Sequence, residues 1–153
     1  MRRSPSIPTI LNKNVSYIDS PASWVFYSFL WLAFRVILAG LGLSAAVSWT
    51  IVNWIHGIIS YVLFHWIMGA PFSSDNDQQS ETLLTFWEQI DDQVLYTRAR
   101  KFLLLFPVAL FFIAVDSSGC DLAYFWINCI VLLLTVVPKL PFLHRVRFFG
   151  INS

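Results

Sequence analysis

Apolar residues gather into four runs, at residues 22–43, 47–68, 102–115 and 122–137. A helix rising 1.5 Å per residue needs about 20 apolar residues to cross a hydrocarbon layer of about 30 Å. The first two runs reach that length. The third has fourteen residues and contains Pro107, so taken alone it reads equally as a re-entrant segment. Pro138 and Pro141 stop the fourth, because neither can continue a helix. The turn at 116–121, Asp-Ser-Ser-Gly-Cys-Asp, predicts that the third and fourth runs form a hairpin.

Charge decides between crossing and re-entry. Arg2, Arg3 and Lys13 precede the first run, Arg98, Arg100 and Lys101 lie between the second and third, and Lys139, Arg145 and Arg147 follow the fourth. The turns at 42–46 and 116–121 have no Lys or Arg. Four crossings place nine of the ten cations on one side, as the positive-inside rule requires. The predicted fold class is an all-α integral membrane protein: four transmembrane helices with both termini cytosolic. Its parts are a cytosolic N-terminal segment at 1–21, a membrane domain at 22–137 with a cytosolic loop at 69–101, and a cytosolic tail at 138–153. Trp24, Trp31, Trp49, Trp66 and Tyr124 are expected near the interfaces or within a few turns of them.

Composition agrees, at 57% hydrophobic and 12% charged, too little polar surface to coat a soluble globule of this size. A net charge of +1 offers no field for nucleic acid. The first run is too long for the apolar core of a signal peptide, and it is expected to serve as an uncleaved anchor.

The central loop is polar at 73–80 and then changes character. Across 81–96, Leu83, Phe86, Trp87, Ile90 and Val94 recur at helical spacing, with Glu88, Asp91 and Asp92 placed elsewhere. This predicts an amphipathic helix lying in the interface plane or docked on a partner. Its acidic polar face favours a protein, or the chain's own helices, over anionic lipid.

Residues able to do chemistry are sparse. His56 and His65 are nine positions apart and face opposite sides of one helix, whereas a zinc site needs three or four clustered ligands. Each His, with His144, is expected to make a helix-packing hydrogen bond. Catalytic signatures such as His-Glu-x-x-His or Gly-x-Ser-x-Gly do not occur, so catalysis is not expected. Cys120 and Cys129 are about 13 Å apart along a helix, too far for a disulfide, and Cys129 is expected as a buried thiol. Arg35 is the one Lys, Arg, Asp or Glu within a run. Inserting it costs about 2.5–3.5 kcal/mol, which calls either for snorkelling to the far interface or for a partner on another subunit. A single such charge is poor material for a transport path. Asn14-Val15-Ser16 matches the glycosylation sequon, but a cytosolic position excludes its use.

A set of ordered motifs resembles the ORMDL (Orm) family of endoplasmic-reticulum membrane proteins. It comprises Trp49-Thr50 with Asn53 and His56, Tyr61, His65, Gly69-Ala70-Pro71-Phe72 and Trp87-Glu88-Gln89-Ile90-Asp91. It continues through Tyr96-Thr97, Arg100-Lys101-Phe102-Leu103, Asn128, Pro138-Lys139-Leu140-Pro141, His144-Arg145-Val146-Arg147 and Gly150-Ile151-Asn152. The resemblance implies a multi-pass, non-catalytic subunit that binds the large subunits of serine palmitoyltransferase, and its small activating subunit, and restrains the enzyme when ceramide is plentiful. Pyridoxal phosphate belongs to that enzyme, so no cofactor is expected in this chain; ceramide is its regulatory ligand. Segment 1–21 becomes a regulatory segment, in which Asn14 takes the position of the family's ceramide-binding Asn. An amide suits that role because it both donates and accepts hydrogen bonds.

Two stretches depart from the family pattern. Asn12-Lys13-Asn14-Val15 stands where many members read Asn-Pro-Asn-Thr, and Phe86 replaces the His of many animal members. The leader Arg2-Arg3-Ser4-Pro5-Ser6 resembles the serine-bearing basic leader phosphorylated in fungal members, making Ser4 and Ser6 candidate phosphorylation sites; an ordinary basic flank is the alternative. Two other function classes stay open: a structural membrane subunit or assembly chaperone without lipid sensing, and a lipid-modifying enzyme, which the missing motifs disfavour.

Overall fold

A computed structural model describes residues 16–69, 84–143 and 146. Its helices are α1 (Pro21–Gly40), α2 (Ala45–Tyr61), α3 (Phe86–Gln89), α4 (Arg98–Ser117) and α5 (Leu122–Val136). Asn14, Ser4, Ser6, Leu83 and His144 lie outside the described residues.

Local chemistry sets the helix ends. Pro21 opens α1, where a missing N–H costs nothing. Gly42, at φ +83°, closes it: Gly42 N–H bonds Ala39 O and Leu43 N–H bonds Leu38 O, the paired bonds of a Schellman stop. The Ser44 hydroxyl then caps α2 by accepting from Val47 N–H. One π-helical turn, Val62–Trp66, extends α2. At the second hairpin the Asp121 carboxylate accepts from the backbone N–H groups of Ala123 and Tyr124.

Three helices, Pro21–Gly40, Ala45–Trp66 and Leu122–Lys139, are long and apolar enough to cross a membrane. The third run is longer than its fourteen apolar residues implied. It belongs to α4, a continuous 20-residue helix whose first turn carries Arg98, Arg100 and Lys101. Pro107 does not break it. Proline removes the donor that would bond the carbonyl four residues earlier, here Leu103 O, and Lys139 Nζ donates to that oxygen at 3.0 Å.

Helix α2 is the hub, packing on α1, α4 and α5, while α4 and α5 pack on each other. Side-chain pairs fix the directions. Asn53 meets Asn128 and Ser60 meets Lys139, so α2 and α5 run parallel. Lys139 also meets Leu103, so α4 runs against both. Tyr27 pairs with His56 and Arg35 with Trp49, making α1 antiparallel to α2. The start of α1, the end of α2, the start of α4 and the end of α5 therefore share one end of the bundle, the convergent end. The two tight turns form the distal end.

A polar seam joins α2 to α5. Asn53 Nδ2 donates to Asn128 Oδ1 at 2.9 Å, and Asn128 Nδ2 donates to Thr50 Oγ1 at 3.1 Å and Tyr124 O at 2.8 Å. One turn on, a Cβ at Gly57 would overlap Val131 Cγ1 and touch Thr135 Cγ2 at 3.3 Å. Close backbone approach with interhelical hydrogen bonding is how helices associate where lipid competes for apolar surface.

Three expectations need correction. Among the described residues, 84–96 do not form one amphipathic helix: α3 has four residues, Ile90–Gln93 is a 3₁₀ turn, Glu88 is buried and Val94 is exposed. Lys139 is not a solvated flank, since it is only 4% exposed. Cys129 is half-buried rather than buried.

Candidate functional site

Four segments meet around one cavity at the convergent end. The 3₁₀ turn Ser16–Asp19 leads into α1, and its Tyr17 and Ile18 form one wall with Ser23, Trp24 and Tyr27. Leu63, Phe64 and Ile67 come from the end of α2, Phe86 from α3, and Phe102 and Leu103 from α4. The volume is about 240 Å³, below the roughly 300–1,000 Å³ of sites that enclose a whole small molecule. It is sized for part of a hydrocarbon chain.

The Ser23 and Trp24 donors are already engaged. Ser23 Oγ donates to Tyr17 O at 2.6 Å, and Trp24 Nε1 donates to Ile18 O at 2.6 Å. These bonds fold the 3₁₀ turn back over α1 and leave carbon facing the cavity. Trp24 stacks on Phe102 at 5.2 Å, and Tyr27 meets Phe106 edge-on at 4.9 Å, tying this wall to α4. Partial burial raises the Tyr17 phenol above its ordinary value, so it remains a neutral donor beside the cavity.

Behind Phe86 lies a plug built from Trp87-Glu88-Gln89-Ile90-Asp91. Thr85 and Glu88 form a capping box: Thr85 N–H donates to Glu88 Oε2 at 2.8 Å. Gln89 Nε2 donates to Gly69 O at 2.7 Å and Leu84 O at 3.1 Å, holding α3 against the chain leaving α2. Asp91 turns the chain at φ 52°, a left-handed conformation that Asp tolerates better than most residues. Arg100 Nη2 donates to Ile90 O at 3.1 Å. The Trp87 ring lies 5.0 Å from the Arg100 guanidinium and 5.7 Å from Lys139 Nζ, two cation–π contacts inside the bundle end.

His56 and His65 point apart. His56 Nε2 pairs with Tyr27 Oη at 2.8 Å, whereas His65 packs on Tyr61 and Trp87. Among the described residues no three His, Cys, Asp or Glu side chains are grouped to hold a metal ion.

Among the described residues, the motifs singled out in the sequence therefore build the frame rather than line the cavity, Phe86, Phe102 and Leu103 excepted. Tyr17, Ile18, Leu63, Phe64 and Ile67 went unnoticed as site residues, because nothing in a single run marks residues that meet only after folding.

Comparison with known proteins bears on the same frame. The model of the ORMDL family matches residues 12–147. The chain is 40% identical to ORM1-like protein 2 of Homo sapiens over 144 residues, covering 94% of each chain. It is 41% identical to ORM1-like protein 2 of Gallus gallus and 37% to ORM1-like protein 3 of Mus musculus, with the same coverage. The chain belongs to the ORMDL family.

Proposed function

We propose that this chain is a non-catalytic regulatory subunit of serine palmitoyltransferase in the endoplasmic-reticulum membrane, restraining the enzyme when ceramide is abundant. The observation that carries this reading is the apolar cavity at the convergent end. Tyr17, on its wall, follows Asn14 by three residues, about 10 Å of extended chain at most. One hydrocarbon chain of ceramide enters the cavity, and its amide and hydroxyls remain at the mouth. There the Asn14 amide both donates and accepts. Bound ceramide then stabilises the inhibitory pose of the N-terminal segment.

The topology that serves this role has four crossings, with both termini and the central loop cytosolic. The convergence of four segment ends at one pole of the bundle supports it, as do the cations that flank them in sequence. From that side the chain contacts the large subunits and the small activating subunit; pyridoxal phosphate stays with the enzyme, and this chain contributes no cofactor. Phosphate on Ser4 or Ser6 adds about −1.5 to −2 charge beside Arg2 and Arg3 and releases the segment.

The test is serine palmitoyltransferase reconstituted with this chain in liposomes and titrated with ceramide. Inhibition is expected to deepen with ceramide for the wild-type chain, and Asn14→Ala to blunt it without loss of the chain from the complex. Ceramide-independent turnover with a stably bound chain would instead identify a structural subunit or assembly chaperone.

A further inference from the structure

Arg35 is the only Lys or Arg between residues 14 and 97. Five residues, about 7.5 Å of helix, separate its Cα from Gly40 at the distal end of α1. Trp49 lies four residues, about 6 Å, inside α2 from Ala45, at a matching depth. The guanidinium carbon stands 5.5 Å from the centre of the Trp49 ring. Among the described residues no hydrogen bond or ion pair reaches this guanidinium, and its Nε is buried without a partner. This is neither a fully solvated snorkelling cation nor one neutralised by a described residue of the chain.

A guanidinium carries five donors in a planar fork that matches phosphate in bidentate fashion. Contact with the indole covers part of the group and fixes its position, while the terminal nitrogens remain to be filled. Of the carboxylates at the distal turn, Asp121 is committed to capping α5. Leu32 and Val36, flanking Arg35 on α1, are 52% and 62% exposed. Close helix packing favours small residues, and these large branched side chains suit acyl chains better.

We propose that Arg35 and Trp49 form a binding site for the phosphate of a glycerophospholipid in the leaflet at the distal end. The guanidinium edge takes the phosphate oxygens, the indole braces it, and the acyl chains run along Leu32 and Val36. The site stands at the opposite end of the bundle from the cavity and does not depend on its occupant.

Native mass spectrometry of the full chain tests this, with micelles containing either dioleoyl phosphatidylcholine or dioleoylglycerol, which has the same chains and no phosphate. The wild-type chain is expected to keep one phosphatidylcholine at collision energies that strip dioleoylglycerol. Arg35→Gln should lower that retention about fivefold or more, and Arg35→Lys, charged but without the fork, by a smaller factor. Circular dichroism and size exclusion accompany each variant; should Arg35→Gln misfold, Arg35→Lys and Trp49→Leu carry the comparison. Equal phosphatidylcholine retention by wild type and folded variants overturns the proposal, as does equal retention of the two lipids by the wild type. Unchanged lipid retention with loss of a copurifying membrane protein from Arg35→Gln overturns it in favour of a partner's carboxylate.

Discussion

Lys139 shows how a residue's sequence context can mislead about its role. Set between two prolines beyond the last apolar run, it reads as a flanking cation. In the structure its ammonium ties together three helices, donating to Ser60 Oγ on α2 and to the Leu103 carbonyl on α4 at 3.0 Å each. That carbonyl is available because Pro107 has no N–H to give it. Lys139→Ala strands it, and unfolding in mixed micelles is expected to become easier by about 1–3 kcal/mol. Pro107→Ala restores a donor on α4 itself, so its effect should be more favourable in the Lys139→Ala background, with a coupling of about 1 kcal/mol. Purely additive effects would dissociate the two residues.

At the scale of elements, the apolar runs gave α1, α2 with its π turn, and α5 within three residues of their observed bounds, because helix length and hydrocarbon thickness constrain each other. The loop was misread for a specific reason. Apolar spacing over 81–96 matched a helix stripe, yet Thr85-Phe86-Trp87-Glu88 carries the Thr-x-x-Glu signature of a capping box and marks a new start at Phe86. Glu88 consequently turns toward the backbone instead of outward. Thr85→Ala is expected to cost about 1 kcal/mol and to speed protease cleavage near Val94 and Tyr96, both exposed; an unchanged cleavage rate would mean the box does not hold the plug. The α2–α5 seam depends on Gly57 in the same local way. Gly57→Ala forces Val131 aside and should destabilise the bundle by about 1–3 kcal/mol in the same micelle assay, whereas a neutral result would show that the seam relaxes freely.

For the whole molecule, the positive-inside pattern leads to the expectation that both ends of the chain and the central loop share one side; among the described residues, the start of α1, the end of α2, the start of α4 and the end of α5 meet at one end of the bundle. The cavity was not foretold. Its walls come from four segments separated by up to 86 residues, Tyr17 to Leu103, and no local period records such an encounter. Leu63 lines it while remaining 39% exposed, so enlarging this side chain fills space without forcing the buried core apart. Serine palmitoyltransferase reconstituted with Leu63→Trp and titrated with ceramide therefore tests the central claim most directly. The variant is expected to assemble as the wild type does and to need several-fold more ceramide for half-maximal inhibition; a titration superimposable on the wild type's would contradict a role for the cavity in reading the lipid.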